Sequence, residues 1–236
     1  MKNFAYKTTI LLFGLCLAIL TSCVTRLNAS LEADGSAVFN VNASLQRNMA
    51  ALIQRLFSAA GQEGQALNGP AIARSMSNAP GVTSVSLRNT ASAAVEGQIQ
   101  VSQINEFLTS AGGNSFINYE QGQSGGRCEI TINLDNGPEI IELLSLEIYD
   151  YLNALMAPVV TGEELRKNEY LELVASFYNR AISNEITSSR IIATIDFPAP
   201  VTGIKGGTFS GRRATFDIPL LDLLVLEEPV VLEVRW

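Results

Sequence analysis

The stretch LNASLEADGSAVFNVNA, residues 27–43, sets the fold class of this chain. Apolar side chains alternate with Asn and Ser on both sides of Asp34-Gly35. An Asp-Gly pair between two alternating runs is a strong signal for a β-hairpin. The alternation places one set of side chains on a core and the other set in water, which is typical of an antiparallel sheet covered on one face.

Similar alternation returns along the chain, and amphipathic segments of helical period lie between the alternating runs. The alternating runs cover about 84–101, 127–134, 191–197, 214–218 and 231–236, and the helical patterns cover about 45–60, 70–78, 102–110, 139–156 and 161–187. A hairpin is also predicted at Lys205-Gly206-Gly207 and around Gly211. We therefore expect one α+β domain with a mostly antiparallel sheet of about seven to nine strands and helices packed on one face.

The first 22 residues have the organisation of a signal peptide. Lys2 and Lys7 form a positive region, and Ile10–Leu20 is an apolar run of 11 residues. A membrane-spanning helix needs about 20 such residues, so this run is too short to span and suits a cleaved leader.

Leu20-Thr21-Ser22-Cys23 ends the leader, and these four residues resemble the lipobox of bacterial lipoproteins. The resemblance implies cleavage before Cys23, a signal peptide over 1–22 and a mature domain over 23–236. It also implies a diacylglyceryl group on the Cys23 sulfur and a fatty acyl chain such as palmitate on its new amine. Two or more acyl chains hold a protein on a bilayer. The alternatives are a secretory signal with a chance cysteine and an uncleaved membrane anchor.

The residue after the cysteine gives a prediction about location. Val24 stands at the position where Asp retains lipoproteins at the inner membrane in some Gram-negative bacteria. By that resemblance the outer membrane is favoured within the cell envelope. The membrane, reached through the covalent lipid, is the first expected partner.

Composition excludes several classes of function. The chain carries a net charge of −7, and removal of a leader with two lysines and no acid takes it to −9. Such an acidic protein is not expected to bind nucleic acid. No histidine is present, which removes the Ser-His-Asp and Cys-His nucleophile systems and His-bearing zinc sites. We therefore expect no catalytic residue, no metal and no cofactor.

Paired carboxylates are the remaining route to an enzyme. The pairs are Glu163/Glu164, Glu169/Glu172, Asp217/Asp222 and Glu227/Glu228. Glycosidase chemistry needs two acids facing each other across a cleft. These pairs are better interpreted as first-turn helix acids or solvated side chains. An Asp/Glu hydrolase is therefore a third alternative only.

The candidate binding residues are aromatic side chains on the two long predicted helices. They are Tyr149, Tyr151, Tyr170, Phe177 and Tyr178. Tyrosine has an apolar body and a polar tip, which suits the rim of a pocket or a partner surface. With the broad apolar face of the 139–156 helix, these side chains could line an amphiphile cavity; ordinary core packing is the alternative. The neutral polar face of the sheet could receive a sugar, or could simply be solvated.

The order of elements adds a second resemblance. A strand, the Ala33-Asp34-Gly35-Ser36 turn, a strand and a helix follow the lipobox, and a late strand pair ends near Ile218-Pro219-Leu220-Leu221. This layout is similar to that of LppM-type envelope lipoproteins. The resemblance implies an α+β envelope domain associated with lipid or glycolipid. The resulting hypothesis is a non-enzymatic lipoprotein that binds an amphiphile or an envelope component. The alternative is a structural or assembly lipoprotein that acts through protein contacts.

Overall fold

The fold was established from a computed structural model, and the structure describes residues 24–59, 66–110, 116–122, 125–138 and 152–236. The predicted signal peptide, Cys23 and most of the predicted 139–156 helix lie outside these residues. Within them, no helix is long and apolar enough to cross a bilayer.

Eleven strands form two sheets in the described part of the chain. The strands are β1 (Val24–Leu31), β2 (Ala37–Ser44), β3 (Val82–Ala91), β4 (Ala94–Val101), β5 (Ile117–Gln121), β6 (Gly126–Ile132), β7 (Arg190–Asp196), β8 (Gly203–Lys205), β9 (Gly207–Ser210), β10 (Arg213–Pro219) and β11 (Val230–Arg235). The large sheet has the order β3-β4-β2-β1-β7-β10-β9, and the small sheet has the order β5-β6-β11-β8. All neighbours are antiparallel except β1 and β7, which are parallel.

Helices connect the strands. Those with defined bounds are α1 (Arg47–Ala59), α2 (Gly69–Met76), α3 (Ile104–Ser110), α4 (Pro158–Thr161), α5 (Lys167–Phe177), α6 (Arg180–Ser188) and α7 (Leu220–Val225). Residues 137–138 and 152–154, on either side of the segment that is not described, are also helical. Met49 and Ile53 of α1 belong to the same buried cluster as Val41 and Ile99 of the large sheet. Helices and sheet therefore share one core.

The α+β class with mostly antiparallel pairing is confirmed. The strands divide between two sheets, where one sheet of about seven to nine strands was predicted. Alternation shows that a strand has a wet face and a dry face, but it does not show which strand is its neighbour. The hairpin around Gly211 joins β9 to β10 as predicted.

The hairpin predicted at Lys205-Gly206-Gly207 is wrong. β8 pairs with β11 in the small sheet, and β9 pairs with β10 in the large sheet. The chain passes from one sheet to the other at Gly206, which has a φ of 78°. A Cβ at this position would lie 2.6 Å from the carbonyl oxygen of Val231, so the close approach of the two sheets requires glycine.

The single helix predicted over 161–187 is also wrong, because this stretch contains the last residue of α4, all of α5 and nearly all of α6. Gly162 ends α4 in the left-handed conformation with a φ of 70°. The capping interaction expected near Thr161 instead lies at the start of α5, where the backbone N–H of Arg166 donates to Glu169 at 2.9 Å. Local capping groups therefore interrupt a pattern whose apolar period continues through them.

A second interruption separates α5 from α6. The Asn179 side chain accepts a hydrogen bond from the Ile182 backbone N–H at 3.0 Å and so caps the start of α6. Tyr178 lies between the two helices. Phe177 is the last residue of α5 and is exposed.

The C-terminal residue closes the small sheet. The backbone N–H of Trp236 donates to Gly126 at 3.0 Å, and the backbone N–H of Gly126 donates to Trp236 at 2.8 Å. The indole ring packs against Phe197, with centroids 4.5 Å apart, and against Tyr119, with centroids 5.8 Å apart. As predicted, the final strand lies inside a sheet, since β11 has β6 on one side and β8 on the other.

Candidate functional site

A groove of about 230 Å³ lies between α1 and the junction of α5 with α6. It is lined by Asn48, Ala51, Leu52, Arg55, Phe177, Tyr178, Asn179 and Ile182. Two of the predicted binding residues, Phe177 and Tyr178, belong to it. We call it the α1–α6 groove.

Phe177 is the most unusual side chain of the groove. It is 66% exposed, and the other large hydrophobic side chain that is exposed in the described residues is Phe209, at 47%. Leu52 and Ile182 lie at the base of the groove and are buried. The groove therefore combines an apolar floor, one aromatic side chain in water, and Arg55 as an exposed cation.

A buried carboxylate fixes one end of the groove. Glu185 of α6 is 8% exposed, and its two oxygens accept the backbone N–H groups of Asn48 at 3.0 Å and Met49 at 2.7 Å. The Asn48 side-chain amide donates to the same carboxylate at 2.6 Å. These N–H groups belong to the first turn of α1, where a helix leaves donors unpaired and favours negative charge. Glu185 thus caps α1 from another helix, and we call this arrangement the Glu185 clamp.

Further contacts show the relative direction of α1 and α6. The Gln46 side chain, just before α1, donates to Ser188 at 2.9 Å, near the end of α6. Arg55, further along α1, shares the groove with Asn179 at the start of α6. The two helices are therefore antiparallel, and the groove lies toward the start of α6.

Two tyrosines tie α5 and its end to the 152–156 segment. The Tyr170 hydroxyl donates to the carbonyl oxygen of Leu155 at 3.2 Å, and the Tyr178 hydroxyl donates to the carbonyl oxygen of Ala154. Burial raises the pKa of both hydroxyls, so both stay protonated and act as donors at neutral pH. Tyr170 is fully buried and packs in the core, whereas Tyr178 reaches the groove.

The remaining predicted site residues cannot be placed. Tyr149, Tyr151 and the lipidation residue Cys23 lie outside the described residues. The sequence interpretation missed Asn48, Arg55 and Glu185. The helical spacing of 48, 52 and 55 puts them along one side of α1, but no pattern in the sequence indicates that α6 packs there.

A second groove, of about 200 Å³, contains one of the paired-carboxylate candidates. Asp217 and Asp222 both line it. Asp217 accepts from Arg190 at 2.5 Å, and Asp222 pairs with Lys167 at 2.9 Å. The hydrogen bond to Asp222 is the main reason that the pKa of Lys167 is raised. Each aspartate is held by its own cation, an arrangement that favours partly exposed ion pairs over an acid and a nucleophile in one cleft.

The wet face of the large sheet carries a continuous row of neutral polar side chains. Strand register places one residue of each strand in the row, in the order Ser86, Gln98, Asn40, Asn28, Thr194, Thr215 and Thr208. Gln98 donates to Asn40 at 3.1 Å. Neighbouring strands lie about 4.8 Å apart, so the row is about 29 Å long. It offers hydrogen-bonding groups without charge; the sugar interpretation of this face stays a prediction.

The acidic side chains and the Cys128 thiol are the remaining places in the described ranges where metal or thiol chemistry could occur. They contain no group of three or more Cys, Asp or Glu side chains arranged to hold a metal ion. Cys128 lies in β6 and packs against the core. Burial raises the pKa of its thiol to about 12, with a smaller contribution from the charge of Glu129. At neutral pH this thiol is protonated, which disfavours the thiolate that acts as a nucleophile.

Comparisons with known proteins add one structural likeness. No model of a protein family matches the sequence, and no curated protein matches it. Among solved structures, the chain is similar to the NMR structure of the folded domain of Mycobacterium tuberculosis LppM, with a TM-score of 0.40 and 12% identity over 90% of this chain and 87% of that chain.

Proposed function

We propose that this chain is a non-enzymatic lipoprotein of the bacterial cell envelope, anchored by acylated Cys23, that contacts an envelope protein through the α1–α6 groove. The structural observation that supports the lipid anchor at Cys23 is the position of β1. This strand begins at Val24, the first residue after the lipobox cysteine, and pairs at once with Arg190. Within the described residues, the sheet therefore begins one residue after the predicted cleavage and acylation site.

Replacement of Cys23 tests the anchor. The Cys23→Ala protein, expressed in a bacterium fed a clickable fatty acid, should remain a full-length precursor without label, whereas the wild-type protein should be labelled and shorter. Cys128→Ala is the matched control and should be labelled like the wild type. Fatty acid on the Cys23→Ala protein, or an unmodified Cys23 thiol in the native product, would contradict the proposal.

Val24 supports the outer membrane as the location. In a Gram-negative host, separation of the two membranes should place the wild-type protein in the outer-membrane fraction. A Val24→Asp variant should shift toward the inner membrane if the host uses Asp at this position as its retention signal. Wild-type protein found only at the inner membrane would contradict this part of the proposal.

The α1–α6 groove supports a protein partner over a small molecule. Small-molecule sites usually have volumes of roughly 300–1,000 Å³, and this groove is smaller, at about 230 Å³. Its apolar floor fits one aliphatic or aromatic side chain, and exposed aromatic side chains are enriched where proteins bind each other. Arg55 suits a carboxylate beside that inserted side chain. The expected partner therefore presents an apolar residue next to an acid.

Phe177→Ala tests this contact without loss of core packing. A photo-crosslinking amino acid at Arg55 should join the protein to a single partner in the envelope, and the additional Phe177→Ala change should abolish that product. Phe209→Ala, which removes the other exposed phenylalanine, is the matched control and should leave the product unchanged. Equal loss in both variants, or none in either, would contradict a role for the groove.

An amphiphile is the second candidate ligand, and the broad apolar face of the predicted 139–156 helix motivates it. Native mass spectrometry of the mature chain expressed without Cys23 tests it directly. A lipid that co-purifies at one molecule per chain would favour this candidate. A ligand-free chain that still forms the crosslinked product would favour the protein partner.

A further inference from the structure

The first residue of β1 lies on one of the two sides of the large sheet at which its strands begin and end. We call these two sides the edges of the sheet, as distinct from its edge strands. Consecutive Cα atoms are 3.8 Å apart, so the Cα of Cys23 lies within that distance of the Cα of Val24. No linker separates the cysteine from the sheet. Lipid chains attached to Cys23 would therefore bring this edge, and not only a flexible tail, to the membrane surface.

Strand register identifies what else lies at this edge. Val24 is aligned with Arg190 of β7, and Arg190 is aligned with Pro219 of β10. On the other side, Ser44 ends β2 and is aligned with Ala94, the first residue of β4. The β3–β4 turn, residues 91–94, projects at the same end. We call these residues, at the level of Val24, the near edge.

The opposite edge of the sheet is far from Cys23. β1 rises about 3.3 Å per residue, so Leu31 lies about 23 Å from Val24. The β1–β2 turn follows Leu31. In this turn the backbone N–H of Ser36 donates to Asp34 at 2.9 Å, and the Ser36 hydroxyl donates to the same carboxylate at 2.7 Å. These bonds lower the pKa of Asp34, which keeps a negative charge at this far edge.

The two edges differ in chemistry as well as in position. The β3–β4 turn of the near edge consists of Ala91, Ser92, Ala93 and Ala94, which are small, uncharged and at least partly exposed. Such residues can approach headgroups without desolvating a charge, and Arg190, on the other side of this edge, is paired with Asp217. The acidic turn at Asp34 would be repelled by an anionic surface.

We propose that the near edge, from the β3–β4 turn through Val24 to Arg190 and Pro219, is the surface that rests on the lipid headgroups. This inference depends on the proposed acylation of Cys23. Along α6, which rises about 1.5 Å per residue, Asn179 of the α1–α6 groove lies about 14 Å from the end of the helix that precedes β7.

Site-directed fluorescence tests the inference on the full-length protein processed in cells. Ser92→Cys and Asp34→Cys place one exposed thiol at each edge, and the buried Cys128 thiol should react too slowly to compete. Each variant is labelled with bimane and reconstituted into phosphatidylcholine vesicles that carry a headgroup spin label. Bimane at Ser92 should lose severalfold more fluorescence than bimane at Asp34. The two unreconstituted proteins should respond equally to a soluble spin label.

The outcomes separate this inference from the function on which it rests. Protein that floats with the vesicles but shows equal quenching, or stronger quenching at Asp34, would overturn the near-edge inference and leave the anchor intact. Protein that carries no lipid and stays outside the vesicle fraction would overturn both. Circular dichroism identical to the wild type confirms that both variants are folded.

Discussion

Removal of the Glu185 carboxylate should destabilise the protein by several kcal/mol. Glu185→Ala deletes the acceptor for the backbone N–H groups of Asn48 and Met49 and for the Asn48 side-chain amide. Met49 is 2% exposed, so its N–H has little access to water once the carboxylate is gone. An unpaired buried donor costs about 1–3 kcal/mol.

The other bonds contribute less. Asn48 is exposed, so water can replace part of what the carboxylate provides there. Loss of an N-terminal cap costs about 0.5–2 kcal/mol. Together these effects predict a loss of about 2–4 kcal/mol for Glu185→Ala. Glu185→Gln keeps one acceptor oxygen but loses the charge that favours a helix N-terminus, so we expect about 1–2 kcal/mol.

Urea unfolding of the mature chain expressed without Cys23, residues 24–236, measures these values, and hydrogen exchange locates them. Exchange of the amides at the start of α1 should become faster in Glu185→Ala, while amides of the small sheet should change only with global stability. Glu172→Ala, an exposed glutamate on α5, is the control and should change stability by less than about 0.5 kcal/mol. A loss below about 1 kcal/mol for Glu185→Ala, or an effect no larger than that of Glu172→Ala, would refute the capping argument.

Three further predictions concern the two sheets. Trp236→Ala should lower the free energy of unfolding by about 3–5 kcal/mol, because the ring packs on two aromatic side chains. Thermal unfolding should show that Trp236→Phe retains much of this stability, and equal losses in the two variants would contradict the packing role. Gly97→Ala should lower the free energy of unfolding by about 3 kcal/mol or more, since its Cβ would lie 1.9 Å from the Ser86 carbonyl oxygen. In the same assay Gly211→Ala, which has open space around it, should lower it by only about 1–2 kcal/mol because of its positive φ. Burial raises the pKa of the Cys128 thiol from 9.0 to about 12, so the unfolded chain loses this proton at a lower pH than the folded chain does. The free energy of unfolding should therefore fall by about 1.4 kcal/mol per pH unit as pH rises from about 9 toward 12. Cys128→Ser should remove that part of the slope, and an unchanged pH profile would show that the thiol is not buried as described.

Local sequence signals predict the hairpins well because the information needed is local. Asp34-Gly35 lies between alternating runs, and β1 and β2 pair across it as expected. The parallel pairing of β1 with β7 could not be predicted in the same way. It joins residues that are more than 150 positions apart, and an alternating strand looks alike whether its neighbour is parallel or antiparallel.

In the helical region, residues 161–187, the apolar pattern predicts helix but not the positions where helices end and begin. The apolar period over 161–187 continues through Gly162 and Asn179, so it predicts one helix, while these two residues provide local caps that end one helix and start another. The groove follows from those interruptions. The sequence identifies Phe177 as an aromatic candidate for binding. Nothing in the sequence indicates that the carboxylate of Glu185 lies against the start of α1, and the structure shows this contact.

The position of β1 has a mechanical consequence for a protein tethered at Cys23. Any tension on the tether enters the sheet through β1, which is aligned with six residues of β2 on one side and seven of β7 on the other. Force along this strand loads both ladders in shear, so their hydrogen bonds share the load and do not open one after another. Pulling from residue 23 in single-molecule force measurements should therefore require a higher unfolding force than peeling β9, the edge strand, from residue 207. If Cys23 is acylated as proposed, the sheet thus carries the mechanical load of the anchor.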